Sequence, residues 1–504
     1  MNPNERNSRR YGNMNASMSR GGFIKTAGVA AVGVGMAATG LGGVARAGHG
    51  PSDFIAPELI AGGGMNYNVW PSGDLTGATD VQNVQWCVDN VRAGGHVQLK
   101  AQDKFTGEMK AFDFGAVGSV RLTKNVSIIG ETDAQGNPLT TINNGRDTFY
   151  SPLPNPLPNP LPAGPSITIQ GINFIGSKAA AIYLEYCGGA SITGNTVSQV
   201  IPIVDNEYAG YYRGQGISIF HRDSIYREGA ITGNIEISGN YLDLLDPALL
   251  TWIVLNPPTI YHPFQKIRTS AIAVSFATNA TVHVAGNAIL HSARLGTETL
   301  DHYNCSVTIE NNTITAPAEG APKPSPHGPH GILVGWFYNQ NPTMQQPSTY
   351  VVQGNNVTVE RAIATGGSAY SAGVFCLVDP ITVSGNTITF SSTTSGINRG
   401  IQLLGTTGAT VENNTITGPA RWGILVTPLQ ITNLFHADSN TIRGNDLSGF
   451  TPIQPPATPY NQAHVMFLTQ YSTPPSSNHL FSYPACSITV LPSPLTNGNT
   501  WDCL

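Results

Sequence analysis

Between Tyr208 and Arg227 the chain gathers its densest set of reactive side chains: Tyr208, Tyr211, Tyr212 and Arg213, then His221, Arg222, Asp223, Tyr226 and Arg227. A phenol or imidazole can take a proton from carbon when a neighbouring guanidinium lowers the cost of the developing negative charge. Arginine also grips carboxylates through paired hydrogen bonds, and aromatic rings stack on flat apolar faces. The chemistry this set fits is proton abstraction beside a carboxylate on a ring-shaped substrate. An ordinary tyrosine-rich loop, with a histidine that satisfies backbone groups, is the competing reading.

More cations recur at one place in a pattern. Arg213, Arg268, His330, Arg399 and Arg421 with Trp422 each lie within three residues of the start of an apolar strand that opens on Gly or Ala. Those strands include Gly216-Ile-Ser-Ile, Ala271-Ile-Ala-Val, Gly331-Ile-Leu-Val, Gly400-Ile-Gln-Leu and Gly423-Ile-Leu-Val. If the strands stack in register, about 4.8 Å apart, the cations form a ladder. For β-elimination, Arg213 or Arg268 would neutralise the carboxyl, Tyr212 or His221 would take the proton, and His330 would protonate the leaving oxygen. Tyr208, Tyr211, Arg222, Asp223, Trp336, Arg399, Arg421 and Trp422 would hold the rest of the substrate. Hydrolysis needs two opposed carboxylates instead, and Asp223 and Glu207 are the nearest candidates. The plain alternative is that the arginines are merely solvated. His327-Gly-Pro-His330 could ligate a metal, but Pro329 and the lack of a third ligand favour a turn. No cofactor is expected, and no acidic cluster suggests calcium.

What must position these residues is a repeat. Eight times a strand ends in Gly or Asn followed by Asn: Asn195, Asn240, Asn287, Asn312, Asn355, Asn386, Asn414 and Asn445, usually with Thr or another small residue and then an aliphatic one. The spacings run from 25 to 47 residues. A fixed motif with variable expansions means one structural turn per repeat and loops inserted outside it. Flanking residues alternate apolar and polar, so the turns are built of short strands. Asn tolerates left-handed backbone angles and carries both donors and an acceptor, so equivalent Asn residues can hydrogen-bond up the stack.

The long expansions, Ser198 to Gln215, Asp243 to Ser270, Ala316 to His330 and Glu360 to Ala372, nearly all fall just before the Gly-Ile strands. One face therefore gains walls, and a walled sheet is a groove for a chain-like ligand. At the other end of the array, Val81, Val84, Val88 and Val91 have helical spacing, with Asp80 as N-cap and Gly94-Gly95 as the stop. An amphipathic helix there would cover the open first turn. Val120 to Gly130 and Ser166 to Gly176 read as opening turns, separated by three Pro-Leu-Pro copies from Pro152 to Pro162. The expected organisation is an export segment over 1–47, a linker over 48–77, an all-β solenoid over 78–450 and a Pro-rich closing segment over 451–504. Within the last, Ala463 to Leu468 reads as a strand.

Residues 1–47 combine a cationic stretch, a Gly/Ala-rich run from Thr26 to Ala45 and the small-residue cleavage pattern Ala45-Arg46-Ala47. Ser19-Arg20-Gly21-Gly22-Phe23-Ile24-Lys25 resembles a bacterial twin-arginine signal, departing from it at Gly21. A single membrane anchor is the competing reading, but so much Gly and Ala inserts poorly. An exported protein, at the cell surface, in the periplasm or outside, is expected. Its removal leaves 19 basic against 29 acidic residues, a net charge of −10, which argues against a nucleic-acid partner. Six cysteines remain, and Cys486 with Cys503 is the first choice for a disulfide.

The Gly-Asn-Thr-Ile turns and the helix followed by Gly-Gly and a strand resemble the right-handed parallel β-helix superfamily. That superfamily holds pectate lyases, polygalacturonases, alginate lyases, mannuronan epimerases and phage tailspikes. The resemblance covers residues from about 78 to 450 and implies the fold, with an N-terminal capping helix. Asn-Thr-Asp, Arg-Ile-Lys, Trp-Ile-Asp-His and Asp-Pro-His-Glu, which mark activities in that superfamily, are absent. With the cation ladder, it implies a lyase-like protein acting on an extracellular, uronate-containing polysaccharide; a noncatalytic adhesion or carbohydrate-binding solenoid and a glycoside hydrolase are the alternatives.

Overall fold

A residue in the left-handed region followed by a buried asparagine bends the chain at each turn. Gly194, Gly239, Gly286, Asn311, Gly354, Gly385, Asn413 and Gly444 have φ between 55° and 64°, the region that glycine and asparagine tolerate best. The asparagine after each of them is at most 2% exposed. Its Nδ2 donates to Oδ1 of the asparagine one turn on, at 2.8–3.0 Å, in an unbroken run from Asn195 to Asn445. The same Oδ1 accepts the backbone N–H of the asparagine one turn back. Nδ2 also donates to a main-chain carbonyl of the preceding turn, as Asn312 does to Val284 at 2.9 Å.

The computed structural model from which these distances come describes residues 53–59, 65–92, 94–201, 203–205, 211–220, 229–244, 267–268, 270–290, 295–316, 330–335, 348–359, 370–378, 380–391, 397–427, 439–452, 463–468, 479–483, 486–491 and 500–501. Their strands form three long sheets of 14, 11 and 13 strands and a small one of three. The chain passes from the first sheet across the Asn bend to the second, then to the third, and back to the first one turn on. In the long sheets the described strands pair in parallel except at the ends. There Ile55–Leu59 runs antiparallel to Met65–Val69, and His479–Tyr483 to Cys486–Leu491. Parallel crossovers are right-handed, and the architecture is a right-handed parallel β-helix.

The core runs along the axis as columns. In the first sheet Ile192, Ile237, Val284, Ile309, Val352 and Val383 lie in register and fully buried. Burying each such side chain contributes about 1.5–3 kcal/mol. Glycine opens the strands of the third sheet because the second sheet packs against their starts. A Cβ on Gly331 would come 2.3 Å from Val357 Cγ1, and one on Gly373 2.6 Å from Ile388 Cγ2.

The helix spans Ala78–Asn90 and buries Val84, Cys87 and Val88. Trp86 meets Tyr67 edge-on at 5.4 Å. Its ends differ from the sequence expectation. Gly77, at φ 75°, is the N-cap, and Asp80 sits inside the first turn. The Asp80 carboxylate accepts the N–H groups of Ser72 and Asp113 at 2.7 and 2.9 Å, tying helix to solenoid. Burial raises its pKa, against the pull of those bonds. Asp74 holds the N-terminus instead, accepting from the N–H groups of Thr76 and Thr79. The helix stops at Val91, which is extended. Gly95 serves the turn beyond, where a Cβ would lie 2.2 Å from the Met65 carbonyl oxygen.

The stretch expected as a linker also carries structure. Met65–Val69 pairs in parallel with Val97–Leu99, so the first sheet begins ahead of the helix. At the far end Ala463–Leu468 pairs with Trp422–Thr427, and Cys486–Leu491 and Thr500–Trp501 extend the third and first sheets. The export segment and Cys503 lie outside the described residues, so the Cys486 pairing is not in view. Cys87, Cys187, Cys305 and Cys376 are buried free thiols, and burial pushes Cys87 and Cys187 up to about 12.

On the outer face of the first sheet His283 bridges Glu236 at 2.7 Å and Glu310 at 2.9 Å, on the turns before and after it. Burial works against the imidazolium, but the two carboxylates outweigh it and raise the His283 pKa above 6.5. A raised histidine pKa stabilises the fold fully below its unfolded value, and that gain is lost as pH rises through the folded value. Histidine NMR titration should therefore find His283 charged above pH 6.5. Melting of His283→Gln should lack the decline the parent shows across that window.

Asn355→Ala strips partners from buried groups on both neighbouring turns. It should cost about 2–4 kcal/mol by urea unfolding, whereas Thr382→Ala, on the outer face of the first sheet, should change stability by less than about 0.5 kcal/mol.

Candidate functional site

Alternation along the third sheet sends Ile217, Ile272, Thr297, Ile332, Val374 and Ile401 inward in one register column. The outer face carries two further columns. One, placed outside because the Gly or Ala after each of its residues also faces inward and breaks the alternation, runs Ser270, Leu295, His330, Ala372, Arg399, Trp422. The other runs Tyr150, Tyr183, Ser218, Ala273, Glu298, Leu333, Phe375, Gln402. Both faces are buried: every residue of Ser270–Ser275, Leu295–Leu300, His330–Gly335 and Trp422–Thr427 is inaccessible or nearly so.

Arg213 and Arg268 are direct register partners on adjacent strands of the small sheet, Tyr211–Arg213 and Ile267–Arg268. Each lies two residues ahead of a third-sheet strand, at Gln215 and Ser270. Tyr212 precedes Arg213 on the same strand and pairs with Ile267. His330 stands two turns beyond Ser270, and Arg399 two turns beyond His330. At about 4.8 Å per turn, His330 and Arg399 are roughly 10 Å apart along the axis. The cations are therefore strung along the solenoid at intervals. Of the expected walls, Ile203–Asp205 and Tyr211–Arg213 form an antiparallel pair. Tyr208, His221, Arg222, Asp223, Trp336, Glu207 and His327 lie outside the described residues.

Two expectations change at the C-terminal end of this face. Arg421 is fully buried, so it is no solvated surface arginine. Trp422, expected to stack on substrate, is only 3% exposed. Its ring centre lies 4.4 Å from the Arg421 guanidinium and 5.4 Å from that of Arg399. The chain's own cations occupy the ring, because the in-register column puts Arg399 directly beside it. Arg399 also donates to Gln402 Oε1.

His330 is 1% exposed, and its Nδ1 accepts the Ala372 N–H at 3.0 Å. Its ring centre lies 5.0 Å from that of Phe375. An accepting Nδ1 leaves the imidazole proton on Nε2, so this histidine presents a donor. Among the described residues no three His, Cys, Asp or Glu side chains converge as a metal site.

Sequence reasoning missed several residues of this face. Glu298 is 5% exposed, lies on the strand adjacent to that of His330, and accepts from Ser270 Oγ. Leu295-Gly-Thr-Glu298-Thr escaped the Gly-Ile pattern because Thr297 takes the inward position that isoleucine holds elsewhere; a carboxylate where Ala273 and Leu333 stand was the available signal. Nearer the helix, Tyr150 and Tyr183 stack at 5.6 Å with a 5° angle between rings. Both hydroxyls donate to Glu185, at 2.5 and 2.9 Å. Glu185 and Glu298 stand three turns apart, roughly 14 Å. Paired glycosidase carboxylates are about 5–9.5 Å apart, so these two cannot form such a pair.

No family profile and no curated protein sequence matches this chain. Among solved structures, the A-module of the mannuronan C-5 epimerase AlgE6 from Azotobacter vinelandii aligns with TM-score 0.38 and 14% identity, over 79% of this chain and 96% of that one. The periplasmic alginate epimerase AlgG aligns with TM-score 0.26 and 10% identity, over 81% and 86%. Likenesses this distant add nothing to the strand pairing above and carry no chemistry.

The hydrogen bond from Ala372 fixes the His330 tautomer, and nitrogen-15 NMR of histidine-labelled protein should show a protonated Nε2 and an unprotonated Nδ1. The reverse pattern would remove His330 as a donor to the outer face.

Proposed function

We propose that this protein is exported, binds an extended, carboxylate-bearing polysaccharide in the groove beside the Gly-Ile strands of the third sheet, at the side where those strands start, and cleaves it by β-elimination. The observation that carries this reading is the register of Arg213 with Arg268, with His330 and Arg399 farther along the same stack. Arginines on register-paired strands one turn apart suit a carboxylate held by charge-assisted hydrogen bonds, and an otherwise acidic chain makes such a stripe selective for anions. Arg213 and Arg268 hold the uronate carboxylate and draw charge away from C5. His221 takes the C5 proton. The C4–O bond breaks as the C4–C5 double bond forms, and the leaving oxygen takes its proton from water; His330, whose Nδ1 is already an acceptor, offers only a hydrogen bond from Nε2–H farther along the polymer. The export segment read in residues 1–47 agrees with a substrate outside the cell.

Noncatalytic binding is the second reading. It is favoured by the interval between cations, which suits a polymer laid lengthwise better than a single reacting centre.

A panel of uronate polymers separates them, followed by ultraviolet absorbance of unsaturated uronates and by a reducing-end assay. Elimination raises both signals. Reducing ends alone mean hydrolysis, and affinity with neither signal means the binding reading. Loss of one charge-assisted bond is worth about 1.5–3 kcal/mol, so Arg213→Gln and Arg268→Gln should each weaken polymer binding about 10–100-fold. Unchanged affinity in both variants would discard the carboxylate ladder.

A further inference from the structure

We infer that the strand Gln215–Ile219 carries a sugar subsite that reads ring hydroxyls irrespective of charge. Ser218 is fully buried and Gln215 is 2% exposed, yet Ser218 Oγ and Gln215 Oε1 have no hydrogen-bond partner. Buried polar oxygens are rarely left unpaired in native folds, and each one weakens the fold that holds it. Polarity is not obligatory here, since on later turns the Ser218 position holds Ala273, Leu333 and Phe375 as well as the hydrogen-bonded Glu298 and Gln402. Two oxygens awaiting donors therefore mark a ligand rich in hydroxyl groups.

The surroundings hold these two oxygens in place. Tyr183 precedes Ser218 in the same column, stacked on Tyr150, and Phe220 packs on Phe276 at 5.7 Å. Glu185 ties both tyrosine hydroxyls and so fixes their rings. These rings are buried, Tyr150 partly so, and packed on one another, so they form a rigid apolar wall behind the two oxygens rather than an open stacking face. Gln215 Oε1 accepts from one sugar hydroxyl, and Ser218 Oγ accepts from or donates to a second. Arg213 lies two residues ahead of Gln215, so a uronate ring seated here brings its carboxylate towards Arg213 and Arg268. That last step rests on the function proposed above; the hydroxyl reading does not.

The test is calorimetric titration of the full-length protein with hexamers of galacturonate and mannuronate and with their neutral galactose and mannose counterparts, alongside melting curves. The parent should bind at least one hexamer. Ser218→Ala and Gln215→Met should weaken that binding about tenfold or more, the value of one hydrogen bond in a buried site. Ser218→Ala should also melt at the same or a higher temperature, because it removes an unpaired hydroxyl. Arg213→Gln should weaken only the uronates. Uronate affinity that survives Arg213→Gln but falls in Ser218→Ala defeats the carboxylate reading and leaves the subsite standing. The subsite is overturned if the parent binds no hexamer, if both variants keep parental affinity, or if Ser218→Ala melts lower with affinity unchanged.

Discussion

Everything in this solenoid depends on one hydrogen bond repeated: the side-chain amide of a buried asparagine donating to the next asparagine one turn on. A bend between two sheets leaves backbone groups that strands cannot pair, and water does not reach them. The asparagine amide supplies a donor to the carbonyl behind and an acceptor to the N–H of the preceding bend. In a low-dielectric interior such chains of bonds reinforce one another, and an unpaired member is costly. The left-handed residue before each asparagine aims it inward, so backbone strain and buried polarity are solved by the same two positions.

This is why the fold was legible. A bend that requires positive φ restricts its residue to glycine or asparagine, and a buried ladder restricts the next one to asparagine. The sequence therefore repeats where physics leaves no choice, and it drifts where loops face outward. The helix was readable from its valines, but Asp80 was misplaced because its partners, Ser72 and Asp113, come from elsewhere in the chain. A tertiary acceptor role looks, in one dimension, like a cap.

The outer face of the third sheet was legible only in part. Arg213 and Arg268 fall at equal distances from their strands, so common spacing implied common register. Trp422 reads as a ligand platform until its neighbours are known, and Arg399 becomes its neighbour through a column that joins residues 23 apart in sequence. Glu298, Gln215 and Ser218 left still less trace. Their significance lies in being buried and polar next to an apolar register partner, Ala180 for Gln215 and Ala273 for both Ser218 and Glu298, and that contrast needs the register.

The asparagine ladder also has a direction. In every asparagine-to-asparagine bond the Nδ2 donor lies on the N-terminal side and the Oδ1 acceptor on the C-terminal side, from Asn195, whose Oδ1 takes the Ile172 N–H, to Asn445, whose Nδ2 ends on the main-chain carbonyls of Val411 and Arg443. The amide dipoles are thus aligned head to tail, and the solenoid is polar along its length like a stack of magnets. A cut between turns leaves a bare donor on one piece and a bare acceptor on the other. The two faces are complementary, so a broken solenoid carries at its wound the surface that would pair with another copy of itself.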